Sequence, residues 1–337
     1  MRLFTAPDRL HGTPGLFTYR RCISCRAVFQ DPRVIADDLS LCYSHNYFTH
    51  RHQPSFDPNP IDALLAKSEE SSSWRAVRER LRRAIIARVR NEPMSGFWVS
   101  IAWALAKSRR LREKAFFDRA PDDLLMRTPE TPRALDVGCG AGQNLIVLGR
   151  VGWEVEGVEW DADAAEIARI ASGRPVSVGD FRKVDLPANS YGLILLHHVF
   201  EHIDDPVGAL HRINELLAAG GRVVLAYPNP ESLGARLFSD RWFPWEVPRH
   251  LVIPPVHSLL RVANQIGLAT VSWRTETKEA GRFFAFSRYY RAGRQVDEEH
   301  PNVNRWDRWL QRLERCLVGV GMSLGEEVRV VLQKERT

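Results

Sequence analysis

The chain has 337 residues, more than one average domain needs, so one substantial core with an appended or inserted part is expected. Hydrophobic residues at 44% and charged residues at 26% are globular values and exclude a disordered chain, a coiled coil or a collagen-like repeat. The opening MRLFTAPDRLHGTPG holds neither a continuous apolar run nor a small-residue cleavage site, so the cytoplasm is the expected compartment. Five unevenly scattered cysteines fit a reduced compartment better than a disulfide framework.

The net charge of +6 is concentrated at the N-terminal side: residues 1–133 hold 23 Lys and Arg against 15 Asp and Glu, which leaves the remainder slightly acidic. An anionic substrate, nucleic acid or a membrane surface would suit that excess, although arginine-rich helix faces are more often simply solvated.

In chain order, residues 1–60 are rich in Pro, His, Cys and aromatics, with turn signals at Asp31-Pro32, Asp57-Pro58 and Asn59-Pro60, and read as a small irregular module. Residues 61–131 read as a helical cap: Trp74, Val77, Leu81, Ile85 and Val89 recur at three- and four-residue spacing. Phe97 to Ala106 is apolar nearly all round and too short to span a bilayer, which needs about 20 apolar residues; it suits a packing helix or a shallow peripheral membrane contact.

From residue 132 the periodicity changes to short β-branched runs separated by helical stretches, the pattern of a mostly parallel α/β sheet. Strands are predicted near 134–137, 154–158, 176–178, 192–196, 222–226, 270–274 and 328–332, with helices at about 142–150, 162–171, 206–218 and 256–266. The aromatic stretch 280–320 reads as an insertion before the last strand.

The strongest local signal is Leu135-Asp136-Val137-Gly138-Cys139-Gly140-Ala141-Gly142, a strand running into a glycine turn that opens a helix. Such a turn lets a ligand lie against backbone and offers it unpaired N–H groups. The next strand ends at Glu159, where a carboxylate can accept both hydroxyl protons of a ribose. A dinucleotide enzyme and an S-adenosylmethionine enzyme share that geometry. A dinucleotide fingerprint places its third glycine three positions after the second, whereas Gly142 follows Gly140 by two. Asp136 beside the turn suits an ammonium group better than a pyrophosphate.

At these residues the sequence resembles the class I S-adenosylmethionine-dependent methyltransferases, over about 134–275 with the final strand. LDVGCGAG is similar to the family's first motif, GVEWD to its ribose-binding acid, and GDF to its adenine edge. LPANSYGLILLHHVFEHIDDP and LLAAGGRVVLAYPNP resemble the small-molecule branch that includes quinone-biosynthesis enzymes. The resemblance implies a Rossmann-like seven-stranded sheet and methyl transfer to a small-molecule, glycan or lipid-linked acceptor. It also implies roles: Gly138 and Gly140 against the methionyl part, Asp136 on its amino group, Glu159 on the ribose, Trp160 and Phe181 against adenine, and Asp180 on the exocyclic amine. His197, at the end of the fourth strand of that sheet, would stand at its mouth. In-line displacement from a sulfonium needs no metal, and positioning supplies most of the rate. Where the acceptor needs a base, His202 and His250 are the leading candidates and His198 a further one.

Neither an Asn/Asp-Pro-Pro-aromatic sequence nor a Pro-Cys pair follows the fourth strand, so DNA is not expected as substrate. Trp242, Trp245 and Arg249 lie in a loop that would suit a sugar, lipid-linked or phosphorylated acceptor, or else pack over the sheet. Cys22, Cys25, Cys42 and His45 have a spacing open to zinc. The surrounding residues resemble the second half of an N-terminal zinc ribbon whose first cysteine pair would precede the chain, so zinc is an open and disfavoured expectation. The competing readings are an NAD-dependent oxidoreductase, and a nucleic-acid- or membrane-binding protein with a vestigial cofactor fold.

Overall fold

The computed structural model describes residues 1–35, 38, 40–43, 104, 131–150, 152–293 and 301–336. The expected cap helices over 61–131 and the 97–106 segment therefore lie outside the described residues, apart from residues 104 and 131. No helix among the described residues is long and apolar enough to cross a membrane.

The N-terminal strands β1 (Arg2–Ala6), β2 (Phe17–Arg21) and β3 (Val28–Gln30) form an antiparallel meander. The region looks irregular in sequence because its strands are three to five residues long and of mixed polarity. What orders them is burial of alternate residues, Ala6, Tyr19 and Val28, in the same core as the larger sheet.

That sheet is built from β4 (Arg133–Val137), β5 (Glu154–Glu159), β6 (Val176–Val178), β7 (Tyr191–His197), β8 (Leu217–Pro228), β10 (Leu268–Glu276) and β11 (Glu327–Lys334). The short β9 (Val252–Ile253) lies apart and adds a fourth strand to the N-terminal meander through β3. The seven strands lie in the order β10-β11-β8-β7-β4-β5-β6. The five from β8 to β6 run parallel, and β11 is antiparallel to both of its neighbours. Leu135, Val158, Ile194, Leu196 and Val223 are buried along them, as strands covered on both faces require.

The intervening helices are α1 (Gln143–Arg150), α2 (Ala162–Ser172), α3 (Pro206–Leu216), α4 (Leu233–Phe238) and α5 (Val256–Gln265), followed by α6 (Ala280–Arg291) and α7 (Arg305–Gly319) in the aromatic insertion. Their ends have local causes. Asp161 caps α2, its side chain accepting from the Ala164 N–H at 2.8 Å, and Gly173 closes that helix with φ at +64°. Asp205 caps α3, with Pro206 in its first turn. Asn304 and Asp307 form a reciprocal capping box on α7.

Strand β8 is longer than expected and takes up residues 217–221. Gly220 and Gly221 look like a turn in sequence; Gly221 lies against the Tyr191 carbonyl, too close for a side chain, and the register with β7 shifts there, Leu217 pairing with Tyr191 and Arg222 with Leu193.

The chain runs outward from β4 through β5 to β6, then returns to β7 beside β4. This reversal opens a crevice between the carboxyl ends of β4 and β7, where ligands of open α/β sheets bind.

Candidate active site

A cavity of about 1360 Å³ occupies that crevice. Its floor is made by the strand ends: Val137 closing β4 and Gly138 after it, Glu159 on β5, Gly179 and Asp180 after β6, and His197 on β7. The opposite wall comes from the buried loop 243–251 and from Phe283 and Phe286 of α6.

At one end the glycine turn has the geometry its sequence demands. Gly138 sits at φ +66°, and a Cβ there would collide with the Val199 side chain. Conformation and space therefore both require glycine. The Glu159 carboxylate accepts from three backbone amides: Gly140 at 2.8 Å, Trp160 at 2.8 Å and Asp161 at 3.1 Å. These contacts tie the glycine turn to the tip of β5 and fix the carboxylate at the cavity wall. Trp160 stands 59% exposed at the rim, whereas Phe181 is buried in the wall.

Asp136 lies just beneath this floor, wholly buried. Its Oδ1 accepts from the Asn144 amide at 3.3 Å, and Oδ2 has no hydrogen-bond partner. Burial, with the nearby Glu159 adding to it against the Asn144 bond, pushes its carboxyl up to about 7. An unpaired buried oxygen of this kind is what a cationic ligand would satisfy.

Asp180 is already engaged. Its oxygens accept from Arg182 Nε at 3.0 Å and Nη2 at 2.7 Å, and Arg182 reaches on to Asp204 at 2.7 Å. An adenine amine would have to share that carboxylate with the guanidinium.

The other end is dominated by histidines. His197 faces the cavity and is reached by solvent through it, but protein encloses it on all other sides; burial and the neighbouring His198 push its pKa down to about 3. His198, at φ +56°, stands edge-on to it at 4.8 Å. It bridges Glu201 (Nδ1 to Oε1, 3.3 Å) and Glu327 (Nε2 to Oε1, 2.6 Å), and these carboxylates raise its pKa well above the usual value against its burial. His202 and His250 meet edge-on at 4.6 Å. His202 Nδ1 contacts the Tyr43 hydroxyl at 2.9 Å and the Arg249 carbonyl at 3.2 Å; burial and His250 push its pKa down to about 4.

Sequence leaves two readings of the loop carrying His250: that it presents Arg249 and the tryptophans to an acceptor, or that Trp242 and Trp245 pack over the sheet. Arg249 is instead fully buried and paired with Asp8, and Trp242 and Trp245 pack into the core. Of this stretch, Phe243, Pro244, Glu246, His250 and Leu251 reach the cavity. Glu201, Glu246 and Glu327 were not singled out from sequence. Glu201 had a local signal in its adjacency to His202, while Glu246 and Glu327 reach the site only through tertiary packing.

Cys22 and Cys25 lie in the turn between β2 and β3, where the Cys22 N–H donates to the Ala27 carbonyl at 2.9 Å. His45 lies outside the described residues. Among the described residues Cys22, Cys25 and Cys42 do not converge as three ligands; the group that does is Glu201, His202 and His250.

Residues 108–272 match the family model described as a methyltransferase domain. Over those residues, about half of the chain, it is similar to a methyltransferase domain, and its seven-stranded, mostly parallel sheet has the fold that this likeness implies. Among curated relatives, it is 30% identical over 108 residues to the ubiquinone biosynthesis O-methyltransferase of Alkalilimnicola ehrlichii, covering 30% of this chain and 43% of that one. It is 37% identical over 103 residues to the demethylspheroidene O-methyltransferase of Cereibacter sphaeroides, covering 28% and 27%. The chain spans about half the length of the ubiquinone biosynthesis relatives it matches. Among solved structures, a SAM-dependent methyltransferase from Archaeoglobus fulgidus superposes with a TM-score of 0.45 at 18% identity, over 71% of this chain and 100% of that one.

Proposed function

We propose that this methyltransferase domain moves a methyl group from S-adenosylmethionine to a small-molecule acceptor bound at the histidine-lined end of the cavity. The observation that carries this reading is the Glu159 carboxylate, fixed by three backbone amides at the tip of β5, opening onto the same cavity as the glycine turn. A diol fits there, with the turn beside it. The buried, unpartnered Asp136 Oδ2 supports a cationic amino group nearby, so the residues present fit the cofactor.

In this reading Gly138 and Gly140 hold the methionyl part, Asp136 its ammonium, Glu159 the ribose, and Trp160 and Phe181 the faces of adenine, with Asp180 on its edge. The bound cofactor supplies an electrophilic methyl on a positively charged sulfur. The chain aligns the acceptor behind that methyl and excludes water, through Phe243, Phe283 and Phe286 across the crevice. His197 lines the mouth as a neutral ring, which adds no positive charge beside a sulfonium.

Aromatic walls suit a ring, a sugar or the head of a lipid-linked molecule. A cytoplasmic, small-molecule enzyme is the setting this reading favours. Titration calorimetry comparing S-adenosylhomocysteine with NAD tests it: binding of the first alone is expected, and binding of NAD alone would overturn it in favour of an oxidoreductase.

A further inference from the structure

We propose that Glu201, His202 and His250 form a binding site for one divalent transition-metal ion in the acceptor half of the cavity. One ligand atom from each of the three lies within 4.8 Å of the other two. Their surroundings are those of metal ligands rather than of an ordinary polar cluster.

His250 Nδ1 lies 2.8 Å from the Pro244 carbonyl, which can only accept, so Nδ1 carries the proton and Nε2 is the nitrogen turned toward the cluster. Nε2 then faces two carboxylates, Glu246 Oε2 at 3.6 Å and Glu201 Oε1 at 3.9 Å. These gaps are too long for hydrogen bonds, which run to about 3.2 Å. Two ligands each about 2.0–2.1 Å from one ion stand about 3.3 Å apart at a tetrahedral angle and about 4 Å apart when opposed, so the gaps are the size of an ion.

His202 repeats the pattern. Its Nδ1 is occupied by the Tyr43 hydroxyl and the Arg249 carbonyl, which leaves Nε2 for a ligand. A carbonyl on the far ring nitrogen is the usual support of a metal-bound imidazole. Glu201 is wholly buried, and its Oε2 has no hydrogen-bond partner, a costly arrangement that an ion held by both carboxylate oxygens would relieve. His198 holds the other oxygen, Oε1, and thereby orients the carboxylate.

Two imidazoles and a carboxylate favour zinc or a neighbouring first-row ion over magnesium or calcium. Glu246 Oε2 is near enough to serve as a fourth ligand. His202 and His250 also line the cavity, so the remaining coordination positions face the acceptor. Methyl transfer itself needs no such ion. Its use, which rests on the proposed methyl-transfer reading, is to hold an oxygen of the acceptor. His202 and His250 are thereby ligands rather than proton acceptors.

The test uses the full chain, stripped with chelator, dialysed against Co²⁺ alone, and analysed for bound cobalt and its visible spectrum. The Cys22/Cys25 pair is separated from the site by using a Cys22→Ser/Cys25→Ser background. One equivalent of cobalt is expected in that background, with no thiolate charge-transfer band, falling below about 0.1 equivalent in His250→Ala and in Glu201→Gln. Calorimetry with S-adenosylhomocysteine, run without metal, reports whether each variant is folded and whether the cofactor reading holds, independently of the cobalt result. Should His250→Ala fail to fold, Glu201→Gln decides, because it keeps the side chain's size. Less than 0.1 equivalent in the Cys22→Ser/Cys25→Ser background, or full stoichiometry in a folded Glu201→Gln variant, would overturn the site.

Discussion

Arg249 and Asp8 form a two-pronged ion pair across 241 positions of sequence, with Nη1 and Nη2 each 3.0 Å from a different carboxylate oxygen and both side chains wholly buried. Asp8 also accepts from the backbone N–H groups of Leu10, His11 and Thr13, and Arg249 donates to the Cys42 carbonyl. The pair holds the N-terminal strands against the loop that bears His250.

Removing one partner strands the other charge in the interior. Asp8→Ala is expected to cost about 3–5 kcal/mol, the range for breaking a buried pair, read as a fall in the urea midpoint. The pair also sets an acid limit. Burial opposes ionisation of Asp8, but the Arg249 contacts and hydrogen bonds outweigh it and hold the pKa near 2. Because the folded value lies below the unfolded one, this contribution is complete above about pH 4 and disappears as pH falls toward 2. Asp8→Asn should flatten that part of the stability profile.

Glu159→Ala is expected to weaken S-adenosylhomocysteine binding about 10- to 150-fold, since hydrogen bonds to a charged group are worth about 1.5–3 kcal/mol. The same change frees the Gly140, Trp160 and Asp161 amides, so circular dichroism should accompany the calorimetry. Affinity within twofold of wild type in a folded variant would contradict the ribose role.

Gly138→Ala should abolish cofactor binding through a clash with Val199, in a backbone region that costs an L-residue about 1 kcal/mol or more. Pairing it with Val199→Ala removes the collision but not the strain, so the double variant should recover part of the stability lost by the single one. Thermal melts of the three proteins separate the two causes.

Cofactor affinity should rise with pH. Asp136, buried and close to Glu159 and Cys139 with Asn144 as its hydrogen-bond donor, titrates at about 7 without ligand. A cationic amino group favours its ionised form, so binding below pH 7 must release a proton. Calorimetry at pH 6 in two buffers of different ionisation enthalpy should show release approaching one proton, which Asp136→Asn removes.

The sheet was legible because its strands are apolar runs bounded by glycine and helix caps; β6 was placed to the residue, and β4, β5 and β7 within one or two. The glycine turn and Glu159 were legible for a related reason: they lie on adjacent parallel strands of one β-α-β unit, whose connection fixes where the two strand ends meet. The acceptor half was not. Glu246 and Glu327 come from a loop and an antiparallel strand brought together only by packing, and no periodicity encodes that meeting. Arg249 misled for the same reason, since its partner Asp8 lies at the other end of the chain. The N-terminal strands were missed because short, mixed-polarity segments carry little hydrophobic pattern.

Strand β9 is two residues long, yet it gives the amino-terminal meander a share in the cavity wall. It follows almost directly on His250, whose carbonyl takes the Tyr19 hydroxyl at 2.8 Å, and its partner is β3. The first thirty residues thus brace one wall of the cavity, and on the proposed methyl-transfer reading a trimmed core beginning at β4 would keep the donor's cradle while losing the shape that selects what receives the methyl.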